Sequence, residues 1–530
     1  MSFKPNFCTI IKCSHHFVVK NPTPQITQAI YNLSSQYTQC GLEFDKIRKK
    51  KVWRPLKTYA IYVDHGHEFR FHIGQFREFF DLLNSNFIDP NSYEIFEKPM
   101  YEAADAEFKI REGWELYPEQ AAAVEFATDP IDGNNAPLIM MPTGTGKGVT
   151  SMFAVAKMGK RLAVLVLSGY VKKWVKELRE IYDLEPNDIV EIDSGDVLKR
   201  CSHFPGSGLD IPKIFVISVN TMSVWYKHYE ADVNNPVLDE YGCKPYDFFE
   251  HLGIGGIIFD EVHQHPHAIF RAYTYIHVPK TVNLSATLLT KDPVLHRVQS
   301  MMFPRCARYD HIKMKKYITS HACAYQIMDY ARSRIQTTEF GSNSYSHVAF
   351  ERSILKNKVL KVQYLGMISD LANRAYYENR VDEDKLAIFV SSRIMAEALL
   401  ETLQKRWPDL DIRLFMQGSS LKDVLEPDIR ITTIISAGTA IDIPNLRCTI
   451  MTINIDSPIS NAQCLGRLRE LKHRIENKDV HFYYTYCSTI PKQVEYHRNK
   501  IELFKDRVIE QKNEFLMTLF PFGNYEEFHN

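Results

Sequence analysis

APLIMM (136–141) runs straight into Pro142-Thr143-Gly144-Thr145-Gly146-Lys147-Gly148, and a segment with helical spacing follows. A glycine-rich turn between a strand and a helix lets backbone N–H groups approach a phosphate closely. The helix N-terminus adds a favourable dipole, and Lys147 can reach the terminal phosphates. A glycine turn with an exposed lysine has the same short pattern, so the reading needs a second element. GGIIFDEVH (255–263) supplies it, carrying a buried strand into Asp260-Glu261-Val262-His263. A carboxylate at the C-terminal end of a strand is placed to hold Mg²⁺, directly or through water. The adjacent Glu261 can orient and deprotonate an attacking water.

One position departs from the usual loop. The residue after the lysine is normally Ser or Thr, whose hydroxyl binds Mg²⁺, and here it is Gly148. Thr150 and Ser151 lie further round the helix and should point elsewhere. The metal must then depend on water, nucleotide and the downstream carboxylates. His265 and His267 extend the histidine cluster, but no Cys or acid neighbour has ligand spacing.

Around these two stretches the chain alternates strands with helical patterns. RLAVLVL (161–167), KIFVIS (213–218) and TVNLSA (281–286) join APLIMM and GGIIFDE as near-continuous apolar runs. KLAIFVSS (385–392), DIRLFMQ (411–417), RITTIISA (430–437) and RCTIMTIN (447–454) repeat the grammar. Strands each followed by a helix imply a parallel sheet covered on both faces. The expectation is an α/β chain with a first parallel-sheet domain over 111–305 and a second over 306–530, the latter ending in a helical tail from about Pro491. Residues 1–110 read as a small α+β domain. Its TYAIYVD (58–64) and EFRFHI (68–73) form a hairpin about His65-Gly66-His67, and QFREFFDLLNSNF has helical spacing.

The 530 residues allow about three or four domains of ordinary size. At 45% hydrophobic and 24% charged, the balance is that of a globular protein. No apolar run approaches the ~20 residues of a membrane span, and the N-terminus lacks a secretory signal pattern. Ten cysteines without a CxxC pair read as reduced thiols in a cytoplasmic protein. Lys plus Arg and Asp plus Glu both total 64, so charge distribution matters more than net charge. The local stripe is KIRKKKVWRPLK (46–57), with Lys46, Arg48, Lys49, Lys50, Lys51, Arg54 and Lys57 around Trp53. Such a run can neutralise several phosphates. Trp53 reads either as a ring that stacks on a base or wedges at a junction, or as a core residue of the small domain.

In order along 117–469 the motifs resemble those of superfamily 2 helicases and translocases. Tyr117-Pro118-Glu119-Gln120 resembles the element whose Gln reads adenine, and Met141–Gly148 resembles motif I. LVLSGYVKKWVKEL (165–178), with Ser168 and Lys172, resembles motif Ia; ISVNTM (217–222), with Thr221, resembles the next strand-contacting motif. DEVH resembles motif II and Ser285-Ala286-Thr287 motif III. AIFVSSRIMAEAL (387–399) is similar to motif IV, SAGTAIDIPNL (436–446) to motif V and Gln463-Cys464-Leu465-Gly466-Arg467 to the start of motif VI. The resemblance implies tandem RecA-like motor domains that bind ATP and Mg²⁺ and act on nucleic acid. It assigns the nucleotide to Tyr117, Gln120, Pro142, Thr143, Gly144, Thr145, Gly146, Lys147, Gly148 and Asp442, and the metal to Asp260. Hydrolysis falls to Lys147, Asp260, Glu261, Arg467 and Arg469, with Arg467 as the arginine finger and Arg469 either standing in for the second arginine of motif VI through a local bend or leaving Arg467 to serve alone. Coupling falls to His263, Ser285, Thr287 and Gln463, and strand contact to Ser168, Lys172 and Thr221. The usual second arginine of motif VI is replaced by Glu470, with Arg469 one residue early, and motif V has Ala440 where Gly is usual.

The short chain, the N-terminal α+β domain and the QxxGRLRE ending look most like phage UvsW-type DNA helicases. That likeness implies a DNA helicase remodelling forked or branched DNA in recombination, repair or replication, in a host cytoplasm and alongside proteins of those processes. Other readings are a duplex translocase serving a restriction or defence nuclease, an RNA helicase, and a clamp that does not hydrolyse ATP.

Overall fold

The computed structural model describes residues 7–45, 50–128, 135–142, 145–288, 290, 292–311, 316–330, 334–339, 344–416, 425–434, 443–471, 473 and 479–522. The chain divides into two compact units, 1–312 and 313–530.

The first unit opens with β1 (Cys8–Lys12), β2 (His16–Lys20), β3 (Thr38–Asp45), β4 (Lys50–Thr58), β5 (Ile61–Val63), β6 (Glu68–His72) and β7 (Tyr93–Glu97). Five of these form a mixed sheet in the order β5-β6-β2-β1-β7, with β7 parallel to β1 and the other pairs antiparallel. The hairpin expected about His65 is present as β5–β6, turned by the 3₁₀ segment Asp64–Gly66 with His65 at φ 54°. The helical spacing after it forms Phe76–Ser85, which buries Phe79 and Leu83.

The rest of this unit contains β8 (Leu138–Met140), β9 (Leu162–Val166), β10 (Ile189–Ile192), β11 (Ile214–Ser218), β12 (Gly256–Phe259), β13 (Lys280–Ser285) and β14 (Arg308–Tyr309). They form an all-parallel sheet in the order β10-β11-β9-β12-β13-β8-β14. Every residue of β9, β11 and β12 is buried, because helices cover both faces, and this is why those strands read as unbroken apolar runs.

The small sheet is welded to this motor sheet. One contiguous apolar core includes Phe17, Phe71 and Phe79 together with Phe259, Phe270 and Tyr273. Arg70 and His16 cross the seam with paired polar groups. Arg70 is 2% exposed, bonds Glu68 Oε1 at 2.5 Å and Thr274 O at 3.0 Å, and lies 4.5 Å from the Tyr275 ring centroid. His16 Nδ1 meets Ile276 O at 2.9 Å, and burial holds its pKa well below the usual histidine value. A neutral His16 donates through that nitrogen.

The second unit holds β15 (Ile318–Ile327), β16 (Lys385–Val390), β17 (Ile412–Phe415), β18 (Ile429–Thr433), β19 (Leu446–Met451), β20 (Val480–Cys487) and β21 (Glu510–Leu519). This sheet is also all-parallel, in the order β17-β18-β16-β19-β20-β15-β21. Two such sheets in succession, behind a small mixed sheet, are the tandem RecA-like α/β architecture that the motifs imply. The tail differs from its sequence reading. It is helical over Pro491–Phe504 only, and Glu510–Leu519 then returns as an edge strand beside β15. Its polar residues suit an edge strand that stays largely exposed. β15 and β20 likewise escaped the sequence reading, since both mix His, Ser, Thr and Tyr into their apolar pattern.

Candidate nucleotide site and nucleic-acid interface

All strands of the first motor sheet are parallel, so the residues at their C-terminal ends share one edge. β8 leads into the phosphate loop, β12 into Asp260, β13 ends at Ser285, β9 leads to Ser168 and β11 to Asn220 and Thr221. Thr143 and Gly144 lie outside the described residues, as do Lys46, Arg48, Lys49 and Asp442. Of the loop itself, Pro142 O accepts from Thr145 Oγ1 at 2.7 Å. Gly146 sits at φ +84°, and a Cβ there would collide with the Gln120 amide, so both backbone shape and space call for glycine.

Gln120 is held on both sides. Its Nε2 donates to Thr145 O at 2.9 Å, and its Oε1 accepts from Tyr117 N–H at 2.9 Å. Tyr117 is 72% exposed, leaving its ring face open.

Lys147 begins helix Lys147–Met158 and is 9% exposed. Its Nζ donates to Met141 O at 3.2 Å and faces Glu261 Oε1 at 3.5 Å. Glu261 adopts φ 48°, a left-handed conformation that is uncommon outside glycine and is often found at functional sites. Its Oε2 is buried and accepts no hydrogen bond. Asp260 Oδ2 accepts from the Trp174 indole N–H at 2.9 Å, and burial, then the neighbouring Glu261, raises its carboxyl pKa. Thr150 and Ser151 are fully buried and return their hydroxyls to Gly146 O at 3.0 Å and Gly148 O at 2.8 Å. Neither can replace the hydroxyl missing at Gly148.

His263 links this centre to the next motif. Burial, then Lys147, lowers its pKa to about 4, so it is neutral near pH 7. Ser285 Oγ donates its single proton to Thr287 O at 2.7 Å and accepts from Thr287 N–H at 3.2 Å. The 2.9 Å contact between His263 Nδ1 and Ser285 Oγ therefore requires the Nδ1–H tautomer. Charge on Glu261, 3.3 Å from His263 Nδ1, is thereby felt at Ser285 and Thr287.

Ser168 and Lys172 are exposed, Thr221 is half-buried, and Ser168 Oγ receives Asn220 Nδ2 at 3.2 Å. This polar edge continues the nucleotide site along the sheet. In the second unit Gln463 and Arg467 are half-buried. Arg469 turns back onto Gly466 O and donates to Leu468 O at 3.0 Å, bracing the turn that follows helix Pro458–Leu465.

From Lys50 onward the basic run forms strand β4, which pairs with β3 alone in a separate two-stranded sheet. Trp53 is 70% exposed opposite Leu42 at 55%, which removes the core reading of that ring. Lys50, Arg54 and Lys57 are exposed along the same strand. The base of the hairpin is anchored on the motor sheet's own connections. His267 Nε2 meets Thr58 O at 3.1 Å, and Gln39 Nε2 donates to Asp292 Oδ2 at 2.9 Å. That engagement absorbs one of the extra histidines of the DEVHQHPH segment. Among the described residues no three His, Cys, Asp or Glu groups converge on a metal-sized space.

Sequence reasoning missed Trp174 and Glu177, although both lie in the stretch quoted for motif Ia. Their three-residue spacing on helix Val171–Ile181 was the available signal. It also missed Glu351, whose Oε2 accepts from Ser391 Oγ at 2.5 Å and Ser391 N–H at 3.1 Å, steadying the motif IV loop.

Residues 113–290 match the family described as type III restriction enzyme, res subunit. Curated relatives include the general transcription and DNA repair factor IIH helicase/translocase subunit XPB of Schizosaccharomyces pombe, 24% identical over 69% of this chain and 43% of that protein. The DNA 3'-5' helicase XPB of Mycobacterium tuberculosis is 26% identical over 38% of this chain and 31% of its own length. The chain thus spans less than half the length of these relatives. Among solved structures, the Pyrococcus furiosus Hef helicase domain aligns at TM-score 0.43 and 12% identity over 73% of this chain and 98% of that one. Saccharomyces cerevisiae Dbp5 bound to RNA and ADP BeF3 aligns at 0.46 and 12% over 76% and 94%.

Proposed function

We propose that this chain is an ATP-dependent DNA helicase or translocase that remodels forked or branched DNA. Lys147 binds the terminal phosphates, Glu261 takes the proton of the attacking water, and Arg467 supplies charge to the transferring phosphate. Magnesium fits the donors present: the carboxylates of Asp260 and Glu261 follow β12, and Glu261 Oε2 is an open buried acceptor. When bound with nucleotide, Mg²⁺ neutralises developing phosphate charge. Its small shell keeps several waters beside carboxylate and phosphate oxygens. The relay Glu261–His263–Ser285–Thr287 is the route by which phosphate release reaches the loop after β13.

The branched-DNA reading is carried by the anchorage of the hairpin. Its base bonds His267, four residues after the DEVH histidine, and Asp292, five residues after Thr287. A basic hairpin with an exposed tryptophan in mid-strand, attached there, moves with the segments that sense ATP. Lys50, Arg54 and Lys57 would hold phosphates of one arm while Trp53 and Leu42 meet bases where strands part.

The test is ATP turnover and unwinding with single-stranded, duplex, forked and four-way DNA and with RNA, for the parent and for Trp53→Ala. The proposal expects strongest stimulation by forked or four-way DNA, and loss of strand separation with retained ATPase in Trp53→Ala. Equal stimulation by linear and branched DNA would refute the branched substrate, and preference for RNA would move the reading to an RNA helicase.

A further inference from the structure

Gly148 removes the hydroxyl that ordinarily completes the metal shell, and the structure brings a carboxylate to the same place. A Cβ built on Gly148 lies 3.4 Å from Glu177 Oε2 and 3.9 Å from the Trp174 ring. Both side chains come from one face of helix Val171–Ile181, three residues apart. Trp174 reaches Asp260 with its indole N–H at 2.9 Å while Glu177 reaches Gly148, so the helix touches both halves of the phosphate and metal centre. The two oxygens of Glu177 are divided. Oε1 faces Lys173 at 3.5 Å, and Oε2 faces Gly148. Burial raises the carboxyl pKa of Glu177, opposed by Lys173.

We propose that Glu177 takes the place of the missing hydroxyl, its carboxylate holding a water in the Mg²⁺ shell beside Gly148. This rests on the reading of the loop as an ATP site. Two independent observations support it beyond the proximity. Thr150 and Ser151 are fully buried and turn their hydroxyls back onto the helix carbonyls of Gly146 and Gly148. Glu261 Oε2, 3.3 Å from His263 Nδ1, is a buried acceptor of the same centre that accepts no hydrogen bond. A carboxylate is a hard oxygen donor suited to Mg²⁺, and water-mediated contact is normal for this ion. The simpler alternative is that Glu177 only pairs with Lys173 along the helix.

The experiment uses Mn²⁺ and ADP as probes on the full chain. Mn²⁺ binding to the protein–ADP complex is followed by electron paramagnetic resonance, and ADP affinity is measured separately in EDTA. Four proteins are compared: parent, Glu177→Gln, Gly148→Ser and the double variant. Glu177→Gln should weaken Mn²⁺ by about tenfold or more, the range found when outer-shell partners of a metal are removed, with ADP affinity in EDTA unchanged. Gly148→Ser placed in that background should restore Mn²⁺ affinity, since the serine returns the usual oxygen. Unchanged Mn²⁺ affinity in Glu177→Gln overturns the inference. So does an equal loss of ADP affinity in EDTA, which would make Glu177 a prop of the loop. A parent that binds no ADP with or without Mn²⁺ would instead overturn the ATP-site reading itself.

Discussion

Lys500 is fully buried on helix Pro491–Phe504, which packs on the motif VI helix Pro458–Leu465. Its Nζ donates to Ile453 O at 3.2 Å and lies 4.9 Å from the Tyr484 ring centroid. No carboxylate is paired with it among the described residues. Burial therefore lowers its pKa from 10.5 to about 7, with Cys464 opposing weakly. Burial raises the thiol of Cys464 to about 12 and lowers the nearby His497 to about 4, so both are neutral near pH 7. Between about pH 7 and 10.5 the unfolded chain carries a proton that the folded chain lacks at this residue. Stability contributed here must then rise with pH across that window. Each pH unit is worth about 1.4 kcal/mol, so at pH 7 the buried amine opposes folding of its unit by about 4 kcal/mol. Lys500→Met keeps the length of the side chain and removes the ionisable group. Allowing about 1 kcal/mol for the missing bond to Ile453, the variant should be more stable than the parent by about 3 kcal/mol at pH 7. That advantage should shrink by about 1.4 kcal/mol for each pH unit above 7. Urea unfolding of both proteins at pH 6.5, 7.5, 8.5 and 9.5, taking the difference at each pH, cancels the titration of other groups. A difference that stays constant with pH, or a variant less stable at pH 7, would refute the argument.

Glu261→Gln should bind ATP yet lose turnover, because the water loses its base, whereas Lys147→Ala should lose nucleotide affinity; single-turnover kinetics and equilibrium binding separate the two. Arg467→Ala should cut ATP turnover by about 10³ or more. Arg469→Ala should leave turnover near normal while lowering thermal stability, since that side chain holds the carbonyls of Gly466 and Leu468. Replacing Lys50, Arg54 and Lys57 by Ala should reduce the log–log salt dependence of duplex binding by about 0.9 for each phosphate left without its cation, whereas Trp53→Ala should leave the slope unchanged. These point changes are preferable to deleting residues 1–105, because Arg70 and His16 are buried in the motor seam and their removal would expose it.

The proposed ATP site could be picked out in the chain alone because its chemistry is local. A glycine loop between a strand and a helix, and an acid pair at a strand end, are short stretches whose backbone groups meet phosphate and metal without distant help. The parallel sheets were legible for a related reason: burial on both faces leaves unbroken apolar runs such as LAVLV and IFVIS. β15, β20 and β21 were not, because central strands with polar side chains and an exposed edge strand lack that signature. Trp53 could not be placed from sequence, since a tryptophan in a basic run suits a core or a surface equally until a fold surrounds it. Only tertiary structure put Thr58 against His267, Gln39 against Asp292 and Glu177 over Gly148. Those pairs stand 209, 253 and 29 residues apart, and no local pattern links side chains that meet only when the strand ends are brought to one edge of a sheet.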